Sequence, residues 1–434
     1  MSCSSPAVHL PLRFTFPLED LRTNFKRKEV MYREKTGIPP ALVVYYTQYP
    51  RTGASASLSP DQKSDLPQRA VPGKERPLKM LEIRVTKTTT PKQKPADESA
   101  LGFGRIFTDH MFIMDYEQSV GWHNARVVPY GDFAMDPAAM VLHYGQAIFE
   151  GCKCYRRADG GLQLFRPQDN LARMTRSAQR MCMPALDEET ALEGLKKLIA
   201  VDADWVPHKD GTSLYIRPTM ISTDVGLGVH ASKKYCFFII LSPVGAYYKE
   251  GLKPVSIYVE DEYVRAVRGG VGFTKCAGNY AASILAGDIA EKKGFSQVLW
   301  LDGVEQQYIE EVGSMNMMFA YGNKIVTPRL NGSILPGITR DSVLKLAKTL
   351  GYEAEEARLN VHDIFADAKS GKLTEAFGTG TAAVISPVGV LAMEDEKITL
   401  GDGGIGPVAQ KLYDTLTGIQ YGRLEDKFGW IVKL

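Results

Sequence analysis

A two-domain protein of α/β and α+β build is what the sequence predicts, and three observations carry it. The chain has 434 residues, more than one ordinary core holds. Its second half alternates short apolar runs with amphipathic stretches, the pattern of strands interleaved with helices. Between two apolar runs lies VGAYYKEGLKP (244–254), punctuated by glycine and proline, which reads as an interdomain connection. The composition, 44% hydrophobic and 24% charged with a net charge of +2, is ordinary for a globular protein. That balance implies neither a nucleic-acid nor a membrane partner, and no apolar run reaches the ~18 residues of a spanning helix.

The first segment stands apart. Residues 1–95 hold 17 Lys/Arg against 8 Asp/Glu, so the remainder is acidic. The stretch SASLSPDQKSDLPQRAVPGKERP (55–77) lacks periodicity and is expected to stay flexible. The start has no basic flank or long apolar h-region, which argues against a signal peptide. Glu19, Asp20, Glu29 and Glu34 argue against a mitochondrial transit peptide, so a cytoplasmic location is favoured over the matrix. MLEIRVTKTTTPKQKP, from Met80, reads as a fresh start with a short strand. The expected organisation is a flexible basic extension over 1–79, a smaller domain over 80–246 and a larger one over 247–434.

The elements follow in order. DEETALEGLKKLIAV (187–201) sets Leu192, Leu195, Leu198 and Ile199 on one helical face behind an acidic start. KYCFFIILSP (234–243) and VSIYVE (255–260) are strands. A helix follows Lys275; QVLWL (297–301) and AAVISPV (382–388) are strands; 339–350 and 407–422 are helices. GDGGIG (401–406) matches a dinucleotide fingerprint, but only 28 residues follow it, too few for the βαβ unit such a site requires. It reads as a turn before Pro407. Six cysteines show no C-x-x-C pair, and the seven histidines form no H-E-x-x-H, so no metal site is predicted.

GVGFTKCAGNYAAS (270–283) places one lysine among small and apolar residues. Such surroundings suit a reactive amine, because burial and cationic neighbours free its lone pair. If Lys275 holds an aldehyde cofactor as a Schiff base, three further groups are needed: a carboxylate at the pyridine nitrogen, donors for a phosphate, and a hydroxyl at the phenolic oxygen. IEEVGSMN (309–316) supplies Glu310 and Glu311; if the segment is extended, one points inward and the other outward. LPGITRDSV (335–343) opens a helix at Thr339, and FGTGTAAV (377–384) is a second small-residue turn. DNLARMTRSAQRM (169–181) carries Arg173, Arg176 and Arg180 along one face, opposite Leu171, Met174 and Met181.

Taken in order, GFTKCAGNYAAS, QVLWLD, IEEVGSMN, LPGITR, FGTGTAAVISPV and GIQYG resemble the branched-chain amino-acid aminotransferases, pyridoxal 5'-phosphate enzymes of fold type IV. LHYGQAIFEGCKCYR, LFRPQDNLARM and SLYIRPTM resemble the same family upstream, so the likeness covers roughly 100–434. It implies a cofactor in the interdomain cleft, a homodimer, and amino-group transfer between leucine, isoleucine or valine and 2-oxoglutarate, a reaction that serves either synthesis or breakdown of these amino acids. It assigns the Schiff base to Lys275. The phenolic-oxygen partner would be Tyr280 and the pyridine partner Glu311. The phosphate would be held by Arg173, Ile338, Thr339 and Thr381, with Arg265 adding a cation. Tyr144, Phe149, Tyr215 and Tyr247 would line the side-chain pocket, Ala382 would hold the α-carboxylate, and Arg217 would receive the distal carboxylate of glutamate. Mammalian members carry C-x-x-C where this chain has Ala383 and Ser386, so that redox pair is absent. The rivals are a D-amino-acid transaminase, an aminodeoxychorismate lyase, and a cofactor-binding protein without turnover.

Overall fold

The computed structural model describes residues 80–245 and 252–434. The extension over 1–79 and the pocket residue Tyr247 lie outside the described residues.

Two nine-stranded sheets organise the described residues. The first runs, in spatial order, Arg84–Val85, Gly121–Pro129, His110–Glu117, Lys234–Val244, Ser213–Ser222, Cys152–Arg156, Leu162–Phe165 and Ile431–Lys433, with Ala147–Phe149 also paired to Ser213–Ser222. The strand expected after Met80 is two residues long and lies parallel to Gly121–Pro129. The last strand brings the C-terminus back to the first sheet, antiparallel to Leu162–Phe165. Helices Pro167–Arg180 and Glu188–Val201 cover this sheet, and Leu171, Met174, Leu195, Leu198 and Ile199 enter its core as their spacing predicts. Leu192 packs at the margin of that core. The contact is close: a Cβ on Gly194 would stand 2.4 Å from the Phe112 ring.

The second sheet runs Ile309–Val312, Gln297–Leu301, Val255–Glu260, Val384–Met393, Glu375–Gly380, Met315–Tyr321, Lys324–Pro328 and Glu353–Ala357, with Glu396–Thr399 also paired to Val384–Met393. Ile309–Val312 also pairs with Met315–Tyr321, which closes a ring of six strands. The GDGGIG stretch is a turn, with Gly401 and Gly403 at positive φ and Pro407 opening helix Pro407–Gln420. A shared core ties the sheets together: Tyr155 and Phe165 of the first meet Phe377 and Ile385 of the second, with Val343, Leu412 and Leu416 between.

Candidate active site

Lys275 lies just ahead of helix Ala277–Lys292 and is pinned on both sides. Its N–H donates to Ser177 Oγ at 3.1 Å, and its carbonyl accepts from the Phe149 N–H at 3.0 Å. Helix Pro167–Arg180 and strand Ala147–Phe149 therefore meet at this residue. The half-buried amine donates to the Tyr280 hydroxyl at 2.8 Å, and the Phe149 and Tyr280 rings pack with centroids 4.8 Å apart.

Strand Ile309–Val312 sends its two glutamates to opposite sides, as extended backbone requires. Glu311 faces a small pocket walled by Arg265, Thr274, Asn279, Tyr280 and Leu335. Larger clefts open elsewhere, but this one joins the tyrosine, the carboxylate and the arginine that the chemistry calls for. Glu311 Oε1 accepts the Leu335 N–H at 2.5 Å. Its Oε2 lies 3.4 Å from Arg265 Nε, close enough for an ion pair, while that Nε has no hydrogen bond. Burial pushes the Glu311 carboxyl up against the opposing pull of Arg265 and the Leu335 N–H. A cation at Oε2 would relieve it.

Arg173 turns inward and is buried. Its Nε and Nη2 make a buried two-point pair with Glu150 at 2.7 and 2.8 Å, and Nη1 donates to the Pro336 carbonyl at 3.1 Å. The row of three arginines splits, with Arg176 and Arg180 exposed. Arg173 thus stands beside the start of helix Ile338–Thr349, whose cap residue Gly337 offers no side chain. The N–H groups of Ile338 and Thr339 are free to face an anion.

Tyr215 and Arg217 share one face of strand Ser213–Ser222: Arg217 Nη2 donates to the Tyr215 hydroxyl at 3.1 Å. The guanidinium lies 4.7 Å from the Phe149 ring centroid, and its Nε is buried without a partner. The Thr381–Ala382 turn reaches this wall through Lys153, whose Nζ donates to the Ala382 carbonyl at 2.7 Å; Lys153 is the register partner of Tyr215. Val384, which ends that turn, has φ 63, a left-handed conformation that a β-branched residue rarely adopts. Tyr144 is not brought into the cluster. Its ring is exposed at the end of helix Met140–Tyr144, and its hydroxyl bonds the Leu227 carbonyl.

Sequence reasoning missed Glu150, Lys153 and Ser177. Glu150 is fully buried, and only the arginine it pairs with gave a signal. Lys153, between Cys152 and Cys154, was the clearer clue: a lysine inside an apolar strand needs a reason.

Burial brings the Lys153 amine from 10.5 down to about 8. Below pH 8 both folded and unfolded chains carry the ammonium, and folding bears the full desolvation cost. Between about 8 and 10.5 the folded chain has released a proton the unfolded chain keeps, so stability climbs with pH. Wild type is expected to gain about 3 kcal/mol relative to Lys153→Met across that window, read from urea unfolding at each pH. A flat difference would mean the amine is not desolvated.

A family model, amino-transferase class IV, matches residues 147–390. "Branched-chain-amino-acid aminotransferase 2" of Bacillus subtilis is 57% identical over 352 residues, covering 81% of this chain and 97% of that protein. The Escherichia coli branched-chain amino acid aminotransferase crystal structure superposes with a TM-score of 0.62 at 29% identity, covering 74% of this chain and 98% of that one. The T.th. branched-chain amino acid aminotransferase complexed with N-(5'-phosphopyridoxyl)-L-glutamate does so with a TM-score of 0.62 at 28% identity, covering 74% and 97%. The fold is therefore that of the fold type IV aminotransferases, and the chain belongs to the amino-transferase class IV family.

Proposed function

We propose that this chain is a branched-chain amino-acid aminotransferase that uses pyridoxal 5'-phosphate and exchanges amino groups between leucine, isoleucine or valine and 2-oxoglutarate. The observation that carries it is the meeting of Lys275, Tyr280, Glu311 and Arg265 with the aromatic and arginine wall of Phe149, Tyr215 and Arg217. The names of the relatives and the phosphopyridoxyl-glutamate ligand of the T.th. enzyme support the same reading.

The residues fit the cofactor. A lone amine is held by a phenol, a buried carboxyl lacks a close cationic hydrogen bond, and a helix start has uncapped N–H groups. The bound cofactor supplies an electron-accepting ring conjugated to the substrate's amino-bearing carbon. Lys275 Nζ takes and returns the proton at substrate Cα. Tyr280 orients that amine. Glu311 holds a proton at the ring nitrogen, with Arg265 opposing the burial that pushes its carboxyl up. Arg173 and the N–H groups of Ile338, Thr339 and Thr381 take the phosphate, and Ala382 takes the substrate α-carboxylate. Phe149 and Tyr215 face an apolar side chain, and Tyr247 is assigned there by the family likeness alone.

Arg217→Ala tests the dual specificity. A guanidinium bond to a carboxylate is worth ~1.5–3 kcal/mol, so kcat/KM for glutamate should fall roughly 10- to 150-fold. Leucine, which packs on the rings, should lose much less. Equal losses in single-turnover reactions with each amino acid would remove Arg217 from the distal-carboxylate role.

Glu150→Gln tests the phosphate assignment. Losing the carboxylate that fixes Arg173 should raise the dissociation constant for pyridoxal phosphate roughly tenfold, about 1.4 kcal/mol, and leave unphosphorylated pyridoxal little affected. Equal weakening of both would point to general unfolding of the site.

We further infer a homodimer. Leu142, Tyr144, Val225, Leu227 and Val229 form an exposed apolar set around the Tyr144–Leu227 bond, which a second copy would cover. A cytoplasmic location is supported by the five described cysteines, all free. The domain division at 246/247 is supported by the change of sheet between Val244 and Val255, and Met80 as the start of the active portion by the strand at Arg84–Val85. Among the described residues no helix is long and apolar enough to cross a membrane.

A further inference from the structure

Glu310 has no part in the site above, yet it is only 3% exposed. Its Oε1 accepts from Asn331 Nδ2 at 2.7 Å and from the Ser333 hydroxyl, while its Oε2 is buried without a partner. It forms part of the wall of an open cleft of about 390 Å³, on the other side of the strand from Glu311, with Arg268, Arg329 and Arg358 around it. A buried carboxylate oxygen left unpaired is costly, and such atoms normally answer to a ligand or to water.

The charges of the cleft can be sorted by what they already hold. Arg358 is committed to Glu305 and to the Tyr308 ring, 3.3 Å from its centroid. Asp302 accepts the N–H groups of Val304, Glu305, Gln307 and Tyr308. Arg268 and Arg329 are exposed, and no hydrogen bond or ion pair engages either guanidinium among the described residues. One negative and two positive charges remain uncommitted. A phosphate would satisfy the arginines but face Glu310; a simple cation would satisfy Glu310 but face two arginines. A molecule with one ammonium and two carboxylates matches all three.

We propose that this cleft binds an acidic α-amino acid, with its ammonium on Glu310 and its carboxylates on Arg268 and Arg329. The ligand would lie one residue from Glu311. It would also touch Ser333, whose hydroxyl bonds Glu310 and whose carbonyl accepts from Arg265. Occupancy is thus linked through one residue to the arginine beside the catalytic carboxylate.

The test is calorimetric titration of L-glutamate into holoenzyme first treated with excess L-glutamate and desalted, so that no amino-group exchange remains to be driven. Saturable binding is expected. It should weaken at least tenfold in the Arg268→Ala/Arg329→Ala double variant, whose changes are at the surface, and in Glu310→Gln, and it should persist in Arg217→Ala. Absence of saturable binding would overturn the proposal, as would binding that survives the double variant or disappears with Arg217. The proposed transamination fails by a different sign, an unchanged cofactor absorbance during the glutamate treatment.

Discussion

Lys275→Ala is expected to reduce transamination to background and to leave the cofactor held without a covalent link. The amine has two tasks, anchoring the aldehyde and moving the Cα proton, and no second amine stands by to take them over. Among the described residues, Lys275 is the lysine that bonds Tyr280 and faces the Phe149 ring. Lys153, the other buried amine of the region, is committed to the Ala382 carbonyl. Borohydride should fix the cofactor to wild type at Lys275 and fail to fix it to the variant. The substitution should not unfold the protein, because the backbone bonds of Lys275 to Ser177 and Phe149 do not involve its side chain. A cofactor still fixed by borohydride, on Lys153 for instance, would move the reactive amine elsewhere.

Glu311→Gln should keep the cofactor and slow transamination about 100-fold, roughly 3 kcal/mol. A neutral amide can hydrogen-bond the ring nitrogen but cannot hold a proton there while charge builds in the transition state. The loss should fall on kcat more than on cofactor affinity, because the Leu335 N–H and the phosphate donors are untouched. Glu310→Gln is the comparison, and its loss should be the smaller, since its carboxylate is turned to Asn331 and Ser333. Equal losses would mean that the carboxylates were assigned in the wrong order.

Much of this was legible because local pattern and tertiary role agree. The runs 234–243, 255–260 and 297–301 are strands, since unbroken apolar segments fit a sheet covered on both faces. The Lys275 segment could be read because a cation among small residues has few bland uses. Other features depend on partners distant in sequence. Pairing of Ile431–Lys433 with Leu162–Phe165 joins segments more than 260 residues apart, and three residues carry too little pattern to announce it. The buried pairing of Arg173 with Glu150 could not be read in advance because Glu150 lies on another element. Tyr144 has the family's surroundings in sequence, but in the single chain its side chain faces outward.

The six-stranded ring has a consequence for the chemistry itself. Glu311 is opposed by Trp300 on one neighbour and by Asn316 on the other, so its strand has no free edge. A slip of one residue would exchange the faces of Glu310 and Glu311, turning the ring-nitrogen carboxylate away from Lys275 and sending its neighbour inward. At the edge of an open sheet, that slip would disrupt one ladder. In the closed ring it must break two at once and displace Gly313, where a Cβ would stand 1.9 Å from Gln297 Oε1. Two adjacent, chemically identical side chains are thus kept distinct by closure of the ring around them.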